Sequence, residues 1–333
     1  ERLFGDEWGP FTQVVGTVRR RLRRRGVGPD QQRRAYKRLL QSPVRRLLRD
    51  GRYTEAADLA AAVEHAAGTR AGTPAGEVIL VGAGPGDPGL ITVAGREALG
   101  YADVVFHDAL VDRGVLELAA SDARLVNVGK RAGRPSMPQD EINALLIAAA
   151  RDGQLVVRLK GGDPLLFARG GEEIGALLAA GIAVRVVPGV SSALAAPGAA
   201  GIPLTHRGVA ASVAITTGRQ AAAGPDRLAD LAASADTLVV LMPAKLDDIT
   251  RRIAAVVGAD RPAALVSAAT LPGQRVIVAP VGEIAEAIRA RSDAELRMEA
   301  PRTLVVGDVV RVAFAAGAAE PAAEDYSLES FQP

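Results

Sequence analysis

The sequence of 333 residues predicts an α/β fold of two units behind a small helical region, and three observations carry the prediction. Short apolar runs recur along the chain, each breaking into Gly, Pro or Asp before helical spacing resumes. Val78, Ile79, Leu80 and Val81, followed by Gly82, Gly84, Pro85 and Gly86, set the pattern of a strand covered on both faces. Two later segments repeat it, LVVRLKGGDPLLFARGG from Leu155 and VRVVPGVSSA from Val184. The composition agrees: 48% of residues are hydrophobic but only 3% aromatic, so Ala, Val, Leu and Ile must fill the cores, as they do between helices and parallel strands.

The elements follow in order. Over residues 1–68, Val14, Val15, Val18 and Leu22 stand at helical spacing beside the basic run Arg19 to Arg25, and Leu39, Leu40, Val44, Leu47 and Leu48 continue the helical character. Ser42-Pro43 is a helix start. The basic run reads as a solvated helix face. A nucleic-acid surface would need interleaved aromatics for base stacking, which are lacking, so no nucleic-acid partner is expected. The apolar stripe has no evident cover within the region, which predicts a symmetric homodimer. Residues 69–76, TRAGTPAG, have linker composition.

A first α/β unit over 77–207 places strands at 78–81, 103–107, 124–128, 155–159 and 184–187, with Gly201 to Arg207 as the hinge. A second over 208–314 places them near 212–216, 237–241, 263–267, 275–278 and 303–306, between Ala-rich helices. Residues 315–333, rich in Ala, Pro and acids, form a disordered tail. A cleft between two such units suits a small-molecule ligand.

Several classes are excluded or disfavoured. The absence of cysteine excludes disulfides, thiolate metal sites and a cysteine nucleophile, and is compatible with a reducing cytoplasm. His65, His107 and His206 are scattered, so no metal is expected. No apolar run reaches membrane-spanning length and no signal-peptide pattern opens the chain, so no membrane partner is expected and the location is expected to be cytoplasmic. The chain starts at Glu1, which leaves room for a natural N-terminus beyond it. The glycines at 82, 84 and 86, with Pro85 and Pro88 interposed, depart from G-x-G-x-x-G, and no acidic residue ends a second strand at the ribose position, so no NAD is expected.

With VVFHDALV (104–111), VNVGKRAG (126–133) and GIPLTHRG (201–208), the three turns closely resemble the tetrapyrrole (uroporphyrinogen-III C-) methyltransferase family, in one collinear order over about residues 77 to 312. The resemblance implies the two-domain tetrapyrrole methylase fold, a class III S-adenosylmethionine-dependent methyltransferase. It also implies methylation of uroporphyrinogen III at C2 and C7 to precorrin-2, for siroheme or cobalamin biosynthesis. A later precorrin methyltransferase of cobalamin synthesis is the alternative, and the GKRAG and PLTHR wording favours the first step. WGPFTQVVGTVRRRLRR and QQRRAYKRLL are similar to the helical dimerisation region of siroheme synthases. The strand, glycine turn and acidic residue of their NAD-binding domain have no counterpart here, so the dehydrogenase and ferrochelatase activities are not carried over.

By the same resemblance, Asp108 is the proton acceptor and Lys130 the proton donor. A helix N-cap is the other role open to Asp108, and charge complementarity to substrate carboxylates the other open to Lys130. A substrate with eight carboxylates needs cations, and Arg131, Arg134, Arg158, Arg169 and Arg207 fall in or beside the motif loops. Met137 packs against either a pyrrole face or the core. Pro85, Gly161, Gly162, Asp163, Leu166, Ser191, Ser192 and Met242 are assigned to S-adenosylmethionine. Ala269 joins them although relatives commonly carry glycine there.

Overall fold

The computed structural model describes residues 6–68, 76–129, 137–218, 227–290 and 301–315. Its opening helices are α1 (Trp8–Arg24), α2 (Pro29–Gln41), α3 (Val44–Arg49) and α4 (Tyr53–Gly68). The apolar stripe of α1 does not wait for a second chain: Phe11, Val18 and Leu22 are buried against Ala35, Leu39, Val44, Leu47, Leu48, Ala56 and Ala60 of the other three helices. The argument for a dimer from an uncovered stripe is therefore corrected. Ser42 and Pro43 do start a helix, with Pro43 at the N-cap of α3. In the basic run, Arg21 and Arg25 pair with Glu64 of α4, while Arg19, Arg20, Arg23 and Arg24 stay exposed.

Lys37 fastens this helical unit to the next. Its ammonium, almost buried, donates to the Ala102 carbonyl at 3.2 Å and to Asp103 at 3.1 Å. Arg33 pairs with Asp122, and Arg34 donates to the Asp152 carbonyl.

The first sheet comprises β1 (Glu77–Gly82), β2 (Val104–His107), β3 (Arg124–Asn127), β4 (Val156–Lys160) and β5 (Ala183–Val187), ordered β3-β2-β4-β1-β5 and parallel throughout. Alternation along the strands divides its two faces. Val78, Leu80, Val104, Phe106 and Val156 pack on α7 (Gln139–Arg151) and α8 (Gly170–Ala179), which follow α5 (Val93–Tyr101) and α6 (Arg113–Leu116). Ile79, Val81, Val105, Val157 and Leu159 pack with Ala98 and Leu99 of α5 and Val115 of α6. The central strands β1, β2 and β4 are covered on both faces, which is why β1 and β2 read as apolar runs.

The second sheet comprises β6 (Val213–Thr217), β7 (Thr237–Leu241), β8 (Pro262–Ser267), β9 (Arg275–Pro280) and β10 (Arg302–Val306), ordered β6-β7-β10-β8-β9. It is mixed: β6 runs parallel to β7, whereas β10 is antiparallel to β7 and β8, and β9 is antiparallel to β8. Its helices are α10 (Leu228–Ser234), α11 (Leu246–Val257), α12 (Ile284–Ala290) and α13 (Val309–Ala315).

The connection between the units, Gly201 to Arg207, packs against the second sheet. Ile202 is buried with Ala264 and Val305 of the second sheet, and the Leu204 carbonyl accepts from Thr237 at 2.9 Å. The preceding helix, α9 (Ser192–Ala199), already belongs to the second sheet by packing, with Ala193 against Val239 and Leu241 and Ala196 against Val266. Small residues on its inner face, Ala193 and Ala196, let it lie close to that sheet. The linker over 69–75 and the tail over 316–333 lie outside the described residues.

Candidate active site

Three loops leave the carboxyl ends of β1, β4 and β5 and pack main chain on main chain. Gly84 and Gly162 exchange two hydrogen bonds, 3.2 Å from Gly84 N to Gly162 O and 2.8 Å from Gly162 N to Gly84 O. A Cβ placed on Gly82 would lie 2.5 Å from Gly189 Cα and 2.6 Å from Gly162 O, and one on Gly189 only 2.3 Å from Gly162 O. The glycines at 82 and 189 are therefore required by the loops themselves, not by a ligand. Gly162 has φ +65°, a conformation open to glycine at little cost. At Gly161 a Cβ meets nothing within 4 Å, so there the main chain lies open.

Asp163 ties this junction together. Its Oδ1 accepts from Leu165 N at 2.8 Å and its Oδ2 from Gly189 N at 3.1 Å. Both carboxylate oxygens serve backbone amides, so Asp163 joins the β4 and β5 loops. Ser191 caps α9, accepting from Ala193 N at 3.1 Å, and Ser192 opens that helix beside Gly162. Replacing Ser191 by alanine is expected to lower stability by about 0.5–2 kcal/mol, the usual value of an N-cap. Chemical denaturation measures it, and an unchanged midpoint would remove the cap from the account.

The second sheet closes over the loops. Leu166 packs with Ala193, Val239 and Leu241. Pro85 is half-buried in the β1 loop, where Asp87 N donates to Thr270 Oγ1 at 3.1 Å and a Cβ on Gly86 would strike Leu271. Met242, one residue beyond β7, is 38% exposed with φ +52°. Ala269 is buried against Ala196 and Val266, between Ala268 at φ +46° and Thr270 at φ +69°. Met242, Ala268 and Thr270, with Phe167 (φ +53°) and Arg169 (φ +58°), are the positive-φ non-glycine residues among the described ones. All five stand in loops at this junction, and such clusters of backbone strain mark functional sites. Sequence inspection named Met242 and Arg169 for other reasons and passed over Phe167, Ala268 and Thr270, because residue types carry no sign of such strain.

Asp108 follows β2 and is 34% exposed, with Oδ1 2.5 Å from Arg158 Nη2. It is not a helix cap: Asp112 caps α6, accepting from Gly114 N at 2.7 Å. Arg158 differs from the expectation of a substrate arginine. Its side chain is 3% exposed and turned into the protein, with Nε donating to Glu173 at 3.1 Å. Lys160, also buried, donates to the same Glu173 oxygen at 2.9 Å. Burial first, then the charge of Arg158, pulls the Lys160 ammonium below its ordinary value. This set, Asp108, Arg158, Lys160 and Glu173, was only half visible in sequence. The available signal was two cations spaced by two on one face of a buried strand, which demand a buried anion.

The remaining arginines are dispersed. Arg169, at the N-cap of α8, is exposed and paired with Glu172 at 2.6 Å, and that hydrogen bond holds the Glu172 carboxyl below the usual range. Arg207 is exposed in the turn closed by the His206 and Ala210 bridge. Met137 takes the other role left open to it, packed against the Val78, Leu80 and Phe106 core. His107 is buried, its Nδ1 3.0 Å from the Asp108 carbonyl. Lys130, Arg131 and Arg134 lie outside the described residues. Gly129 packs onto the loop carrying Asp108, where a Cβ would come 2.1 Å from Ala109 N.

Open backbone at the carboxyl ends of a parallel sheet, a second sheet closing over it and a carboxylate backed by buried cations define a two-unit α/β enzyme of small-molecule substrates. Comparison with known proteins narrows the class. The model of the Tetrapyrrole (Corrin/Porphyrin) Methylases matches residues 77–285, and the chain belongs to that family. A uroporphyrinogen-III C-methyltransferase of Methanocaldococcus jannaschii is 44% identical over 241 residues, 71% of this chain and 98% of the relative. A siroheme synthase of Acinetobacter baylyi is 40% identical over 93% of this chain, which spans 66% of that relative. Among solved structures, a uroporphyrin-III C-methyltransferase of Thermus thermophilus complexed with S-adenyl homocysteine aligns with TM-score 0.61 and 41% identity, covering 71% of this chain and all of that one.

Proposed function

We propose that this protein is an S-adenosylmethionine-dependent methyltransferase that methylates uroporphyrinogen III at C2 and C7, giving precorrin-2. The observation that carries the proposal is Asp108 on its buried arginine, in the loop next to the open glycine turn of β4. The named relatives and their identities support it.

The β4 turn fits the cofactor: main chain is open at Gly161, and Ser191 and Ser192 present only small side chains beside Gly162. Pro85, Gly161, Gly162, Leu166, Ser191, Ser192, Met242 and Ala269 would hold it, with Asp163 stiffening the turn. S-adenosylmethionine supplies a methyl group already activated on a sulfonium. What remains for the chain is to align an electron-rich pyrrole carbon with that methyl, exclude water and accept a proton.

Exposed Leu110, Leu165 and Phe167, from the loops after β2 and β4, offer apolar surface to the centre of the macrocycle. Arg169, Arg207, Lys130, Arg131 and Arg134 meet its carboxylate rim. Asp108 accepts the proton released after each methyl transfer, with Oδ1 held by Arg158 and its partly exposed side turned to solvent. Lys130 acts as the proton donor.

Incubating the protein with uroporphyrinogen III and methyl-labelled cofactor tests the activity. A product that carries two added methyl groups, each balanced by a released proton, bears it out. No methylation of this substrate, with transfer to a later precorrin, replaces it with the alternative. A cytoplasmic homodimer completes the proposal on family resemblance. Light scattering at micromolar concentration should report twice the chain mass, and a monomer would remove that part.

A further inference from the structure

We propose that Glu173 is a positioning residue for methyl transfer, orienting Asp108 through Arg158; the proposal rests on Asp108 being the proton acceptor. Along β4, Val156, Arg158 and Lys160 share the face that meets α7 and α8. Two cations at the end of this apolar face are buried to 3% exposure, and the anion that answers them is Glu173 on α8, 0% exposed. Its Oε1 receives three donors: Arg158 Nε at 3.1 Å, Lys160 Nζ at 2.9 Å and Gln139 Nε2 at 3.1 Å. Its Oε2 is buried without a hydrogen bond.

The guanidinium of Arg158 is consequently held on every side. Beyond Glu173, its Nη1 donates to the carbonyls of Leu159 at 3.1 Å and Phe106 at 3.4 Å. Nη2 is left for Asp108 Oδ1. A planar fork fixed at Nε and Nη1 cannot turn, so the direction in which it offers Nη2, and with it the orientation of the carboxylate, is set from inside the protein.

A buried ion cluster contributes little net stability, because desolvation offsets the attraction between the charges. A cluster in which Glu173, itself held by Lys160, and Asp108 share one guanidinium is better accounted for by the geometry it imposes on the single member that reaches solvent. Asp108 is that member, at 34% exposure. Glu173 acts without touching substrate.

A double-mutant cycle on the full chain tests the link, read by single-turnover methyl transfer from labelled S-adenosylmethionine to uroporphyrinogen III. Glu173→Gln should slow transfer by roughly 100-fold, as expected for misplacing a reacting group by about 1 Å, with cofactor affinity unchanged. In an Asp108→Ala background the same substitution should slow it no further. Equal slowing in both backgrounds means a merely structural role and overturns the proposal, as does a folded Glu173→Gln enzyme of wild-type rate. If Glu173→Gln does not fold, Arg158→Lys takes its place in the cycle, keeping the charge but losing the fork, with the same two outcomes. An Asp108→Ala enzyme near wild-type rate instead overturns the assignment of the proton acceptor itself, whatever Glu173→Gln does.

Discussion

Replacing Asp108 by alanine should leave S-adenosylmethionine binding intact and reduce turnover by about 100- to 10,000-fold, the usual contribution of a positioned base. The cofactor-facing loops leave β1, β4 and β5, and no hydrogen bond from the Asp108 side chain reaches them. Arg158 keeps its partner Glu173 in the variant, so the protein should fold with a modest stability loss. Helix capping no longer competes as an explanation, because Asp112 fills that position. Asp108→Asn, which preserves size, should show the same kinetic loss with a smaller change in melting temperature. Calorimetry with the cofactor and single-turnover transfer on both variants decide the matter. A folded Asp108→Ala enzyme working near the wild-type rate would show that another group takes the proton.

The second large effect is expected at Gly82. An added methyl would sit 2.5 Å from the main chain of Gly189 and 2.6 Å from the Gly162 carbonyl, neither of which can rotate aside. Overpacking typically costs about 1–3 kcal/mol. Gly82→Ala should fall at the upper end and abolish cofactor binding by separating the three loops. Gly161→Ala, whose Cβ meets nothing, should stay within about 0.5 kcal/mol of the parent; Gly161→Val then probes ligand space without disturbing the junction. Gly162→Val combines both effects, since its φ of +65° is strained for a β-branched residue. It is expected to lose cofactor binding and some stability together. Melting curves and calorimetry on the set check the order, and a Gly82→Ala protein as stable as Gly161→Ala would contradict the junction as described.

The strands were legible to within a residue or two because burial on both faces leaves an apolar run, and Gly and Pro punctuate its end. Val78, Val104, Val156 and Val239 could be placed without knowing their neighbours. The three turns were legible for the same reason. Partnership was less legible. Glycines at 82 and 189 carry the same letter as Gly161, yet they answer backbone contact between loops that are far apart in sequence, while Gly161 faces open space. That Asp163 holds two amides, one of them on the β5 loop, could not be read from its own segment.

By itself, the sequence determined the two α/β units, the helical region before them and the family, since all of these follow from local periodicity, turn residues and contiguous motifs. Tertiary structure alone decided the rest. It covered the α1 stripe within the chain, gave α9 to the second sheet, turned Arg158 inward and set Glu173 beneath Asp108. The physical reason is that hydrophobic burial and turn propensity are properties of neighbouring residues. The partner of a buried charge, or of a glycine that permits close approach, is fixed only when distant segments are packed together.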